Sequence, residues 1–175
     1  MRQILTQGDL DGACFLYCLA NTAQALTCKP VDPADWTRGI LALPFDMRDF
    51  MAGKGTEKLD KDSDSLIALA RGFLRELGVN SVIGWQDPIR SLQQLRSLIT
   101  AHQVVIMAVD NDAHWVTIVD VDEREVFVAC SVQALDGCQP YPEPLSPTLG
   151  RHFNRRVTFA SLKAKPGHGL SVSLT

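Results

Sequence analysis

No apolar run in the sequence approaches the roughly 20 residues a membrane-crossing helix needs. There is no CxxC and no HxxxH pair, so a structural zinc site is not expected. The five cysteines, at 14, 18, 28, 130 and 138, are odd in number and lack the spacing of a disulfide framework. Reduced thiols, no metal and no cofactor are the expectation. Positive charge is not in excess: 17 Lys and Arg face 20 Asp and Glu, for a net charge of −3. The densest basic group is only "RHFNRR" at 151–156. A basic stripe of the kind that binds nucleic acid is therefore absent. The opening "MRQILTQGDLDG" carries one Arg and then turns polar and acidic, without the apolar stretch of a secretory signal. These absences point to a protein that starts in the cytoplasm, stays off membranes, and is exported, if at all, by a specialised secretion system.

What remains is ordinary globular material. The chain of 175 residues, 46% hydrophobic, is long enough for one domain with a proper core. "ACFLYCLANTAQAL" is apolar on nearly every face and predicts a buried central helix. "DPADWTRGILAL" (32–43) has Asp at a cap and Pro in the first turn, which predicts a second, shorter helix. Residues 44–62 read as a long loop. "SDSLIALARGFLRELG" (63–78) is an amphipathic helix closed by Gly78, and "DPIRSLQQLRSLITAH" (87–102) repeats its pattern. The texture then changes to β-branched runs, "VVIMAV", "HWVTIVDV" and "EVFVACSV", separated by turns, which predict an antiparallel meander. "RRVTFASL" and "LSVSLT" are candidate final strands. The expected class is α+β in a single domain, 1–175, with a helical half over about 1–102 and a β half over about 103–175.

Chemistry concentrates in two places. In "QGDLDGACFLYCLAN", Cys14 stands where an acidic, glycine-containing loop turns into the central helix. Backbone N–H groups of a helix's first turn lack intrahelical partners and favour negative charge. They suit a thiolate, or an oxyanion on an attacked carbonyl. Gly12 would let a substrate backbone approach closely. Asp9 and Asp11 could bind a basic group of a substrate, or serve as turn and capping residues. The second place is His114, which opens the best-patterned strand and could act as general base to a helix cysteine. Trp115 beside it could shield the pair from water or belong to the core. The 44–62 loop would rim such a cleft and the proline-rich 136–150 loop could cap it.

Together "QGDLDGACFLYCLAN" and "AHWVTIVDVDEREVFVACS" resemble the papain-like cysteine peptidase superfamily, and most of all its small bacterial C39-like members. The resemblance implies that Cys14 is the nucleophile, His114 the base and Gln7 the oxyanion-hole donor. It implies a peptidase or isopeptidase acting on a protein or peptide, such as a processing protease or a bacterial effector. Deamidation or acyl transfer on the same site, or a scaffold that binds protein without catalysis, are the alternatives. Three positions depart from the family pattern. Gln7 lies one residue further from Cys14 than is usual. Phe15 stands where a small residue is common. The Asn or Asp expected on the strand after the His falls on Cys130, sixteen residues past His114. With a tight turn at Glu123 and Arg124, His114 lies opposite Gln133, and Ser131 and Gln133 share its face. A one-residue bulge puts Cys130 there instead. Asp112, two residues before the His, is a further candidate.

Overall fold

The computed structural model describes residues 4–6, 13–43, 63–110, 114–132, 143–165 and 167–175. Gln7, Asp9, Asp11, Gly12, Asp112 and Gln133 lie outside the described residues, as do the 44–62 loop and 133–142. The helices are α1 (Cys14–Thr27), α2 (Pro33–Leu41), α3 (Ser63–Glu76) and α4 (Leu92–Leu98). The strands are β1 (Ser81–Trp85), β2 (Gln103–Val109), β3 (His114–Val121), β4 (Val126–Ala129), β5 (Arg155–Val157) and β6 (Gly169–Leu174). They form one antiparallel sheet of order β1-β6-β2-β3-β4-β5. No described helix is long and apolar enough to cross a membrane.

Local chemistry accounts for the helix limits. Asp32 caps α2 by accepting the Asp35 N–H at 2.7 Å, and Pro33 opens the helix. Gly78, at φ 77°, takes the left-handed conformation that ends the turn after α3. The helix expected over 87–102 is shorter. Ser91 caps its start by accepting the Gln94 N–H, and only Leu92–Leu98 is helical. The division at about 103 is also corrected: β1 lies before it, paired with β6 at the far edge of the sheet. The meander expected of the β half runs from β2 to β5, whereas β6 returns to lie between β1 and β2.

The sheet has two covered faces. On one, α1 and α3 pack over Ile106, Ala108, Trp115, Leu170 and Val172. Phe15 is fully buried there, with its ring edge-on to Trp115 at 5.1 Å. Such burial stabilises by about 2–3 kcal/mol. On the other face, Leu95 of α4 and Leu162 cover Val105, Met107, Val116, Ile118 and Val128. Because β2, β3 and β4 are covered on both sides, they are apolar nearly throughout rather than alternating.

Candidate active site

Cys14 is the first residue of α1 and is partly exposed. The N-cap is Ala13, whose side chain cannot cap; its carbonyl accepts the N–H groups of Leu16 and Tyr17. The N–H groups of Cys14 and Phe15 precede those first intrahelical bonds, and the first turn holds no acidic residue.

Three contacts set α1 against β3. The Cys18 thiol donates to the Trp115 carbonyl at 2.9 Å, Thr117 Oγ1 donates to the Cys18 carbonyl at 2.8 Å, and Thr22 Oγ1 meets Thr117 Oγ1 at 3.3 Å. Residue numbers rise together along the two elements, so helix and strand run in the same direction. One helical turn back from Cys18 is Cys14, and one residue back from Trp115 is His114. Both candidate residues therefore lie at the same end of the sheet. Burial holds the Cys18 thiol protonated, well above its ordinary value. Cys18 is a strut between helix and strand rather than a reactive partner.

Strand alternation fixes where the imidazole goes. His114 pairs with Val109, and Val109, Val116 and Cys130 belong to the core under α4. The imidazole therefore leaves the sheet on that face, while Trp115 turns the other way. Trp115, a candidate for substrate contact, is 4% exposed and packs into the helix-side core. The hairpin carries a bulge between Ile118 and Asp120, so Thr117 pairs with Ala129 and the register slips by one. That slip brings Cys130, not Ser131, onto the His114 face. Cys130 Sγ lies 3.4 Å from His114 Nε2. Ser131 is fully buried, one residue further on.

Two charged groups border the imidazole. Arg155, at the start of β5, and Asp110, at φ 52° just past β2, line a cleft of about 60 Å³ with His114, Ser161 and Leu162. Burial, then the positive charge of Arg155, push the His114 pKa down to about 4, against a smaller opposing effect of Asp110. Burial also raises the Cys130 thiol, the largest of several effects on it. At neutral pH an uncharged imidazole therefore faces an uncharged thiol. No described cluster of His, Cys, Asp or Glu could hold a metal.

No protein-family model matches this chain, and no curated protein matches it in sequence. Among solved structures it is similar to a double-glycine-motif protease from an AMS/PCAT transporter, crystallised with a leader peptide. The two share 13% identity and a TM-score of 0.55, over 98% of this chain and 91% of the other. The chain shares the fold of that protease. Cys14 opens α1, His114 opens β3, and Cys130, sixteen residues past His114, is the residue whose side chain meets the imidazole. Asp110 and Arg155 are the neighbours that sequence reasoning missed. Arg155 sits in the noted "RHFNRR" group, but nothing in the sequence pairs β5 with β4.

Proposed function

We propose that the protein is a cysteine-dependent hydrolase of peptides, with Cys14 as nucleophile and His114 as base. The observation that carries this reading is that α1's first residue and β3's first residue lie at one end of the sheet; the reading requires the imidazole, which leaves the sheet on the α4 face, to reach the Cys14 thiol round that end. His114 takes the Cys14 thiol proton as Sγ attacks a carbonyl carbon, and returns it to the leaving amine. Water then cleaves the thioester. The Cys14 N–H and the Gln7 side-chain amide would stabilise the oxyanion. Because the imidazole is uncharged at neutral pH, the proton moves in step with attack rather than from a standing thiolate–imidazolium pair.

The fold neighbour is named for a double-glycine motif and was solved with a leader peptide. Peptides carrying a Gly-Gly pair are therefore the first substrates to offer, with cleavage read by mass spectrometry. Cleavage should vanish in Cys14→Ala and in His114→Ala while circular dichroism stays unchanged. Cleavage that survives Cys14→Ala would overturn the reading. A second reading, a papain-like scaffold that binds peptide without cutting it, is favoured by the thiol where a carboxylate or amide is usual. It predicts peptide binding without turnover, and Cys14 alkylation indifferent to His114→Ala.

A further inference from the structure

A general base also marks which end of a substrate lies beside it. On the peptidase reading, the acyl half of the cleaved bond stays on Cys14 Sγ, while the imidazole returns a proton to the departing amine. The chain that follows the cut must therefore pass His114, and the cleft bordering the imidazole on the α4 face is where it arrives. The buried side chains of Val116, Val128 and Leu162 give this cleft an apolar floor. The charged residues among its lining are Asp110 and Arg155.

The two charges do not carry equal weight. Asp110 is exposed at the left-handed turn after β2, whereas Arg155 is half-buried on β5. Water screens an exposed carboxylate more strongly than a half-buried guanidinium. The same order is felt at the ring, where Arg155 has the larger effect on His114. Arg155 also has an anchor but no counter-ion among the described residues. Its described hydrogen bond runs from Nη2 to the Val132 carbonyl at 3.4 Å, while the next residue, Arg156, holds the Glu125 carboxylate at 3.3 Å. A guanidinium is a planar fork of N–H donors that matches a carboxylate, and one bond to a carbonyl leaves most of the fork unused.

We propose that this cleft is the subsite for the leaving side of the substrate, and that Arg155 makes it select a carboxylate there. The carboxylate is the side chain of a Glu or Asp after the cut, or the free C-terminus of a short leaving group. The inference rests on the peptidase reading for the direction of the chain, but not for the charge of the cleft. The apolar floor takes the methylene part of the ligand and Arg155 its head. The Asp110 carboxylate at the exposed rim is matched in sign to the α-ammonium group that cleavage releases.

The first test is binding to the full chain carrying Cys14→Ala, followed by NMR titration so that turnover plays no part. The ligands are the amidated tripeptides Glu-Ala-Ala, Gln-Ala-Ala and Lys-Ala-Ala, and the dipeptide Ala-Ala with a free carboxyl group. A carboxylate ligand should bind about tenfold more tightly than the Gln peptide, the scale of one charge-assisted pair. Tighter binding of the Glu peptide assigns the site to a side chain, and tighter binding of the free dipeptide assigns it to a C-terminus. The preference should persist in Arg155→Lys, vanish in Arg155→Gln, and turn toward the Lys peptide in Arg155→Glu. The second test is cleavage by the chain with Cys14 intact of Gly-Gly peptides that carry Glu or Gln directly after the cut. The Glu-to-Gln ratio of kcat/KM, taken within each Arg155 variant, should follow the binding series and act mainly through KM. Any general effect of Arg155 on His114 cancels in that ratio. Carboxylate ligands that bind no better than the Gln peptide, or a preference unmoved by Arg155→Gln, would overturn the proposal. If Cys14→Ala leaves cleavage intact, the peptidase reading fails, while the titrations still decide whether the cleft selects a carboxylate.

Discussion

The depressed basicity of His114 should be visible as acid instability. In the unfolded chain the imidazole takes up a proton near its ordinary 6.5, whereas the folded protein resists until about pH 4. The lowered value means that the stabilisation is fully present above pH 6.5. It is lost as pH falls through the window between the two values. The full span corresponds to about 3 kcal/mol at 1.36 kcal/mol per pH unit. Integrating only from pH 7 to pH 5 gives about 2 kcal/mol. The control is His114→Gln, which does not titrate, so every other carboxylate and histidine cancels in the comparison. Urea unfolding of both proteins at pH 7, 6 and 5 should show the wild type losing roughly 1 M more in midpoint than the variant, for a slope near 2 kcal/mol/M. Parallel losses in the two proteins would refute the reasoning. They would mean that the ring is solvated, or paired with a carboxylate, and could hold a charge at neutral pH.

Other expectations follow from the same contacts. Cys130→Asp puts a carboxylate against Nε2, so the His114 pKa should rise toward or past its ordinary value. The acid limb of the Cys14 alkylation rate should move up with it, read by peptide mass spectrometry from pH 4 to 9. Arg151 is 4% exposed and donates to the carbonyls of Thr100, Ala101, Gln103 and Val119 at 2.7–3.3 Å. Arg151→Met strands these acceptors and should cost about 3–5 kcal/mol by denaturant titration. Gly39 of α2 faces Phe73 so closely that an added Cβ would come within 2.7 Å of its ring. Gly39→Ala should therefore destabilise by about 1–3 kcal/mol through overpacking, despite alanine's better helix propensity, and thermal unfolding would show it.

Periodicity was enough to place α1, α2, α3, β2 and β3, because long apolar patterns with clear caps leave little choice. The resemblance to papain-like peptidases, drawn from the contexts of Cys14 and His114, anticipated the fold. The short edge strand β1 was not legible. "SVIGW" is five residues long with Gly84 inside it, and only Ile83 is fully buried. The contact at Nε2 depended on a register slip that hairpin arithmetic could offer only as an alternative. The bonds made at the slip reach a distant loop. At the bulge, the buried Asp120 accepts the Val121 N–H through Oδ1 and those of Thr148 and Leu149 through Oδ2. A carboxylate that serves a loop 28 residues away is not readable from local pattern. Arg155 and Asp110 escaped for the same reason, since only tertiary pairing brings either to the imidazole.

The position of β6 has a consequence for how the molecule is made. It is translated after the other five strands, yet it sits second from the edge, hydrogen-bonded to β1 on one side and β2 on the other. While residues 169–174 are still inside the ribosome, β2 to β5 can pair with one another, but β1 has no strand to join. Until then β1 is unpaired and β2 keeps an open edge, although α1 can already pack on β2 and β3. Seating β6 there pairs residues far apart in the chain, which makes the step slow. An open β2 edge is also where two nascent chains could stick together. Chaperone demand during expression should accordingly track the delay before β6 emerges, and slowing translation just ahead of residue 169 should lower the soluble yield.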